Sequence, residues 1–489
     1  MKKLVIVAVN MWVFIGAVGP IHAAEFFCPS GDVPCLIAAM NDANLNGEEN
    51  TIDLAAGTYT LTSIDNSPTF SSRNGLPRVA SAMVINGEST ETTIIERDPD
   101  APIFRIFDVA TSGRLTLNGL TVRGGGGFGT AFSGSGAGIN NDGTLTITDS
   151  IIERNQGGFP GGGIANRGAL TVLRSIVREN FGGFLAGGIS NSGTATIMSS
   201  SITNNSVQGP GGGIANGDLG GGVGSMTIHN STISDNGSDF VGGIDNPGVM
   251  IITNSTIANN RVIPLFGGNT GGISNSGVLH IANTTISGNV RTRPPFLVIG
   301  PSNILNSGIL ALQNTIVEQC SGPVSSLGNN IIGDPNDCDI NLLSSDLTGD
   351  PGLAAFVDDG MPGRGHFPLN PGSQAIDAGN SDACPPTDQL GFSRVGICDI
   401  GSVEFQGKIL VTVDVRPRSE ANKINPNSAN NINVAIFSGN GFDARTVDPN
   451  TIRFGATGTE AAPIHVGRRD VDGDGDRDVV ARFVIQDRN

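Results

Sequence analysis

Two stretches decide the architecture: Gly138-Ile139-Asn140-Asn141-Asp142-Gly143-Thr144-Leu145-Thr146-Ile147 and Gly163-Ile164-Ala165-Asn166-Arg167-Gly168-Ala169-Leu170-Thr171-Val172. Further copies carry Asn191, Asn216, Asn246, Asn275 and Asn306. The Ile two residues before each Asn recurs every 25, 25, 25, 30, 29 and 31 residues, a period that signals a solenoid. Within a copy the apolar positions alternate, as in Leu145/Ile147 and Met250/Ile252, which is strand periodicity. A second short strand follows, with Ile152, Val177, Ile202, Ile233 and Ile257, and ends at a second Asn: 155, 180, 205, 236, 260 and 289. No helical stripe separates the strands. The expectation is an all-β, right-handed parallel β-helix with rungs ~4.8 Å apart and like side chains stacked in columns.

The spacing between the two Asn residues is 14 in five copies and 20 in the fourth, where Asp218 to Gly224 reads as an inserted loop. A fixed spacing means a fixed path. The Asn columns are therefore expected to be structural, with amides bonding up the coil at tight turns. The leg from the second Asn to the next Ile varies from 8 to 15 residues. These legs carry Phe159, Phe184 and Phe266, on one edge of the solenoid. Two readings are open: a partner surface for a polysaccharide or surface-protein ligand, or rings folded over the coil to seal its turns.

Outside the repeats, composition sets limits. The chain has 489 residues, 71 of them Gly, and a formal charge of −17, which argues against nucleic acid as a partner. Residues 1–23 read as a cleaved secretory signal: Lys2 and Lys3, an apolar run from Leu4 to Val18, then small residues at Ala23 and Ala24. Cleavage takes the charge from −17 to −19 by removing two Lys, and it removes Trp12. No transmembrane segment is expected after cleavage. The six Cys form three close pairs, Cys28/Cys35, Cys320/Cys338 and Cys384/Cys398, which read as disulfides in an exported protein. Cys35 to Asn44 has helical spacing and is expected to cap the first coil.

These elements resemble a known group. The Gly-Gly-Ile and Ile-x-x-Asn elements are similar to those of Pmp-like bacterial surface proteins. Residues 328–405 resemble the choice-of-anchor Q domain through Gly349–Leu353, Leu369–Gly379, Asp388–Gly391 and Cys398–Gly401. The resemblance spans residues 28–405. It implies export and surface association, and no defined reaction. The expected division is 24–327 for the capped β-helix, 328–405 for the Q-like part and 408–489 for a small β-rich module.

That last module carries Asp470-Val-Asp472-Gly-Asp474-Gly475-Asp476-Arg-Asp478. Carboxylates at alternating positions with Gly at the sixth match the first nine positions of an EF-hand or dockerin-type loop. Asp470, Asp472 and Asp474 are expected as side-chain ligands of a structural Ca²⁺, Asp476 through its carbonyl, and Asp478 directly or through water. Position twelve is Ala481, so Asp448 or Asp487 would have to close the site. Strand Val479–Phe483 ends six residues before the terminus, so the module reads as cut short.

Parallel β-helices also host polysaccharide lyases and hydrolases, so fold alone does not decide function. From Gly113 to Val317 there are only eight acids, and no two share a column on adjacent coils. Glu153 with Arg178, and Arg154 with Glu179, form crossed ion pairs worth ~0.5 kcal/mol each if exposed, which reads as stapling. Of the four His left after cleavage, His229 and His280 are expected to face solvent. Asp358-Asp359 matches one polygalacturonase element, but its His and Arg-x-Lys companions are absent. The mature chain has no Trp and one Tyr, Tyr59, which weakens sugar stacking. The expectation is therefore an exported adhesion, binding or structural protein with no catalytic residues. The alternative is a polysaccharide lyase or glycoside hydrolase of the pectin-lyase-like type.

Overall fold

The computed structural model describes residues 23–69, 72–127, 136–158, 160–218, 221–262, 270–293, 297–336, 338–406, 411–417, 419, 431–438, 443–455 and 461–484. The chain divides into two compact units between Phe405 and Gln406.

The first unit is a parallel β-solenoid. Each regular turn contributes one strand to each of three long stacks and a short strand, such as Gln156–Gly157 or Phe181–Gly182, to a fourth. In the first stack, Thr144–Thr148 pairs in register with Ala169–Leu173, which pairs with Thr194–Met198, and so on to Ile309–Gln313. Alternation points one set of side chains inward. Leu145, Leu170, Ala195, Met226, Met250, Leu279 and Leu310 form one buried column, and Ile147, Val172, Ile197, Ile228, Ile252, Ile281 and Leu312 form another. The second stack adds Ile152, Val177, Ile202, Ile233, Ile257, Ile286 and Val317. The third adds Ile139, Ile164, Ile189, Ile214, Ile244, Ile273 and Ile304. Each column is removed from water on all sides, and this burial drives the stacking.

Amide ladders run up the corners. Asn141, Asn166, Asn191, Asn216, Asn246 and Asn275 each donate to the next Asn Oδ1, the last to Asn306, at 2.6–2.8 Å. The second column, from Asn155 to Asn289, does the same at 2.7–3.0 Å and ends on Asn303. Here each Oδ1 also accepts from a backbone N–H of the turn below. The ladders thus satisfy polar groups that the sharp corners would strand inside the protein.

Corners also need left-handed backbone. Asp149, Arg174, Ser199, Asn230, Asn254, Asn283 and Asn314 all have φ near +50° at the bend between the first and second stacks. Arg154, Glu179, Asn204, Asp235 and Asn259 do so at the far end of the second stack. Asn and Asp tolerate this region better than most residues. Both sets project outward in phase, so polar side chains line the two rims of the second stack.

Helix Val33–Asn46 caps the first turn. Asp32 accepts from the Cys35 N–H at 2.9 Å, Gly47 ends the helix at φ +74°, and Leu36, Ala39, Met40 and Ala43 are buried. Disulfides join Cys28–Cys35, Cys320–Cys338 and Cys384–Cys398. Tyr59 is fully buried, its hydroxyl bonded to backbone carbonyls of Cys28, Pro29 and Ala55, so it offers no platform to a sugar.

After strand Leu347–Thr348 the chain turns back as a strap along the second stack. The outward column there is Thr121, Ile151, Ile176, Ser201, Thr232, Thr256, Thr285. From Ser201 onward the hydroxyls bind the strap. Ser201 Oγ accepts from Gly363 N at 2.9 Å, and Thr232 donates to Gly365 O at 2.7 Å. Thr256 donates to Gln389 Oε1 at 2.6 Å, and Thr285 accepts from Ser402 N at 3.1 Å. Buried Asp388 and the Arg394–Glu404 pair at 3.2 Å hold the strap's own turns.

The second unit is a four-stranded antiparallel sheet of Val413–Val415, Asn431–Ile436, Asp478–Val484 and His465–Arg469, in that order. Its core holds Ile432, Val434, Val479, Ala481 and Phe483. Among the described residues no helix is long and apolar enough to cross a membrane.

Candidate functional site

The strap reaches its far tip in a hairpin. Val357 and His366 exchange backbone hydrogen bonds at 2.9 Å, and Phe356 packs edge-on against Phe367 at 5.2 Å. The tip, Asp358 to Gly365, lies across the second stack. Gly363 is required there. It has φ +74°, and a Cβ would come within 2.7 Å of the Asn230 carbonyl oxygen.

Beyond the tip the second stack is open. Two adjoining cavities of about 420 and 350 Å³ share Asp149, Arg174, Met361 and Pro362. The larger has Ile151 and Ile176 in its lining, in the column where the strap-covered turns carry Ser and Thr. One rim carries Arg174, paired to Asp149 at 2.7 Å. The other carries Glu96–Arg123 and Glu153–Arg178, each pair at 2.7 Å across neighbouring rungs. Arg154 pairs with Glu179 at 2.7 Å. The result is a mixed groove in which Ile151, Ile176, Met361 and Pro362 alternate with guanidinium, carboxylate and hydroxyl groups, the chemistry of a site for a polyhydroxylated chain.

The hairpin also delivers acids. Asp359 holds Arg364 at 3.1 Å and accepts from Met361 N at 3.0 Å. Asp358 accepts from Gly360 N at 2.9 Å with Oδ1. Across the tip stands Asp235, at a left-handed corner of the second stack. Burial pushes its carboxyl above the usual carboxylate range, and the negative charge of Asp358 pushes it further. Ser234 and Arg261 oppose the shift. Burial also raises Asp239. A carboxyl raised by burial beside a second carboxyl is the recurring equipment of acid–base chemistry.

One acid stands apart. Asp245 lies on third-stack strand Ile244–Asn246, and burial raises it to about 6 against a hydrogen bond from Ser274 that lowers it.

Other expected residues fall as follows. Phe184 is exposed while its neighbour Leu185 is buried; Phe159 and Phe266 lie outside the described residues. His280 is exposed, and His229 bonds Thr253 at 2.7 Å with burial lowering its pKa. In the second unit, Asp470, Asp472 and Asp478 each bring a carboxylate oxygen within 4.8 Å of the others. Asp474 and Asp476 are exposed and stand outside that group. Asp448 caps a short turn by accepting from Asn450 N, and Asp487 lies outside the described residues.

The juxtaposition of Asp235 with Asp358 is absent from the sequence reading. The repeat relates only neighbouring coils, and Asp358 arrives from the returning strap. The available signal was the change from Ile151 and Ile176 to Ser201, Thr232, Thr256 and Thr285 in one column.

No family model matches the chain, and no curated protein matches it. Solved structures similar to it include the A-module of Azotobacter vinelandii mannuronan C-5 epimerase AlgE6, at 16% identity and TM-score 0.37, covering 66% of this chain and 96% of that one. The A-module of Azotobacter vinelandii mannuronan C-5 epimerase AlgE4 is similar at 13% identity and TM-score 0.36, covering 67% and 98%. The expectation of a non-catalytic adhesion or structural protein rested on the lack of partnered acids, and it is corrected on that point: the returning strap brings Asp358 into the electrostatic field of Asp235.

Proposed function

We propose that the chain is a carbohydrate-active β-helix enzyme, a glycoside hydrolase acting on a polysaccharide laid along the second stack and past the hairpin tip. The observation that carries this reading is Asp235 in the field of Asp358, which stands on the hairpin whose Gly360, Met361 and Pro362 border the open groove. Asp235, with its raised pKa, is the general acid that protonates the departing glycosidic oxygen. Asp358, more exposed, serves as base or nucleophile. Arg174 and Arg178, on the two rims, hold sugar hydroxyl or carboxylate groups. Export and a surface-associated role, as the choice-of-anchor Q and Pmp-like resemblance implies, fit three disulfides and a polymeric substrate.

The test is product release from a panel of neutral and acidic polysaccharides, read as reducing ends and, separately, as ultraviolet-absorbing unsaturated ends. We expect reducing ends without unsaturation, and a drop of about 10²–10⁴-fold in D235N and D358N with folding intact. Unsaturated ends would replace hydrolysis by elimination. Unchanged turnover in both variants would remove these residues from the chemistry.

A second reading concerns Asp470, Asp472 and Asp478, whose convergence supports a structural Ca²⁺ in the second unit. Asp474 and Asp476 would join through loop adjustment. The ion would lock the turn between strands His465–Arg469 and Asp478–Val484.

A further inference from the structure

The chain is strongly acidic, yet one face of its second unit is cationic. Strand His465–Arg469 pairs antiparallel with Asp478–Val484, which pairs with Asn431–Ile436. The register puts His465 opposite Arg482, and Arg482 opposite Asn433, in one row across three strands. Two residues on, Gly467 faces Val480; two further, Arg469 faces Asp478. Alternate residues of a strand share a face, so His465, Gly467 and Arg469 stand together with Val480 and Arg482. On the opposite face, Val466, Val479, Ala481 and Phe483 pack into the core.

The row encloses a groove of about 260 Å³ lined by Asn433, His465, Arg468, Arg469 and Arg482, with Gly467 leaving room between His465 and Arg469. Among the described residues its guanidiniums close no salt bridge, although the Asp443 carboxylate lies within electrostatic reach of Arg468. Arg482 Nε donates to the Asn433 amide oxygen at 3.2 Å, and Arg468 Nη2 donates to the Arg445 carbonyl at 3.2 Å. Among the described residues no carboxylate lies within ion-pair distance of Arg468, Arg469 or Arg482, while the neighbouring Arg445 is paired to Asp443 at 2.6 Å. The carboxylate of Asp478, opposite Arg469, is taken by the backbone N–H groups of Ser438 and Val471.

We propose that this face binds a carboxylate-bearing polysaccharide, a polyuronate strand. The proposal rests on the polysaccharide reading for its substrate class and assigns the second unit the task of holding acidic polymer. Guanidinium forks match carboxylates bidentately, and several along one row suit a polymer with a charge on each sugar. Nucleic acid fits less well. The groove has no Phe, Tyr or Trp on which a base could stack.

Affinity electrophoresis of the full chain tests it, in native gels cast with polygalacturonate, with dextran or with duplex DNA. We expect retardation by polygalacturonate alone, weakened by added salt. R469Q/R482Q should bind about tenfold less tightly, and R469K/R482K, which keeps the charge but loses the fork, should fall between that variant and wild type. Melting curves verify that both variants are folded. Equal retardation of wild type and R469Q/R482Q would overturn the proposal, as would stronger retardation by dextran or DNA. Retardation without product release would sink the hydrolase reading alone; product release without retardation would sink this one alone.

Discussion

Asp245 shows how one side chain can set a pH dependence. Its carboxyl has an ordinary value of 3.8 and is raised to about 6 by burial in the folded protein. A raised acid favours the folded state when protonated. Its contribution is present below 3.8 and is lost as pH climbs through 6. The shift corresponds to about 3 kcal/mol at neutral pH, an upper figure for a partly covered group. D245N should therefore raise unfolding stability at pH 8 by about 1–3 kcal/mol and change it little at pH 4. Urea denaturation at both values checks this; an equal effect at both would contradict it. Asn191 makes the opposite case. It accepts from Asn166 at 2.7 Å and donates to Asn216 at 2.8 Å, fully buried. N191A leaves partners on both sides without their bond, and should cost about 2–4 kcal/mol by the same measurement. A loss below about 0.5 kcal/mol would mean that the ladder is ornamental.

At the scale of elements, the strands and the hairpin differ in how legible they are. Rungs announce themselves because a fixed period repeats the same demands: Ile inward, Asn at the corner, a left-handed residue just before the second Asn. The pairs Glu153–Arg178 and Arg154–Glu179 follow from that period and stand where counting puts them. The strap has no period. Its path depends on contacts between residues far apart in sequence, such as Thr256 with Gln389 and Ser402. Its motif residues look catalytic in isolation but largely hold turns, as Asp388 does with the N–H groups of Leu390, Phe392 and Glu404. The cationic row was hidden for a related reason: His465 and Arg482 meet only through strand register, which composition does not reveal.

For the molecule as a whole, two units imply two responses to chelation. The Asp470–Asp478 turn joins two of the four strands of the second unit, and the β-solenoid contains no comparable group of acids among its described residues. EDTA should lower the melting transition of residues 406–489 and leave that of the solenoid in place. Differential scanning calorimetry with and without added calcium checks this. A single transition indifferent to calcium would remove the ion. Ser201, Thr232, Thr256 and Thr285 have a further consequence. They work as notches of a ruler, each engaged by a set position of the returning chain. A turn inserted among them would need a matching extension of the strap, so that part of the solenoid is locked in length. Turns upstream of Ile176 carry no such constraint, and a longer or shorter ancestor could have changed the number of sugars accommodated simply by gaining or losing coils there.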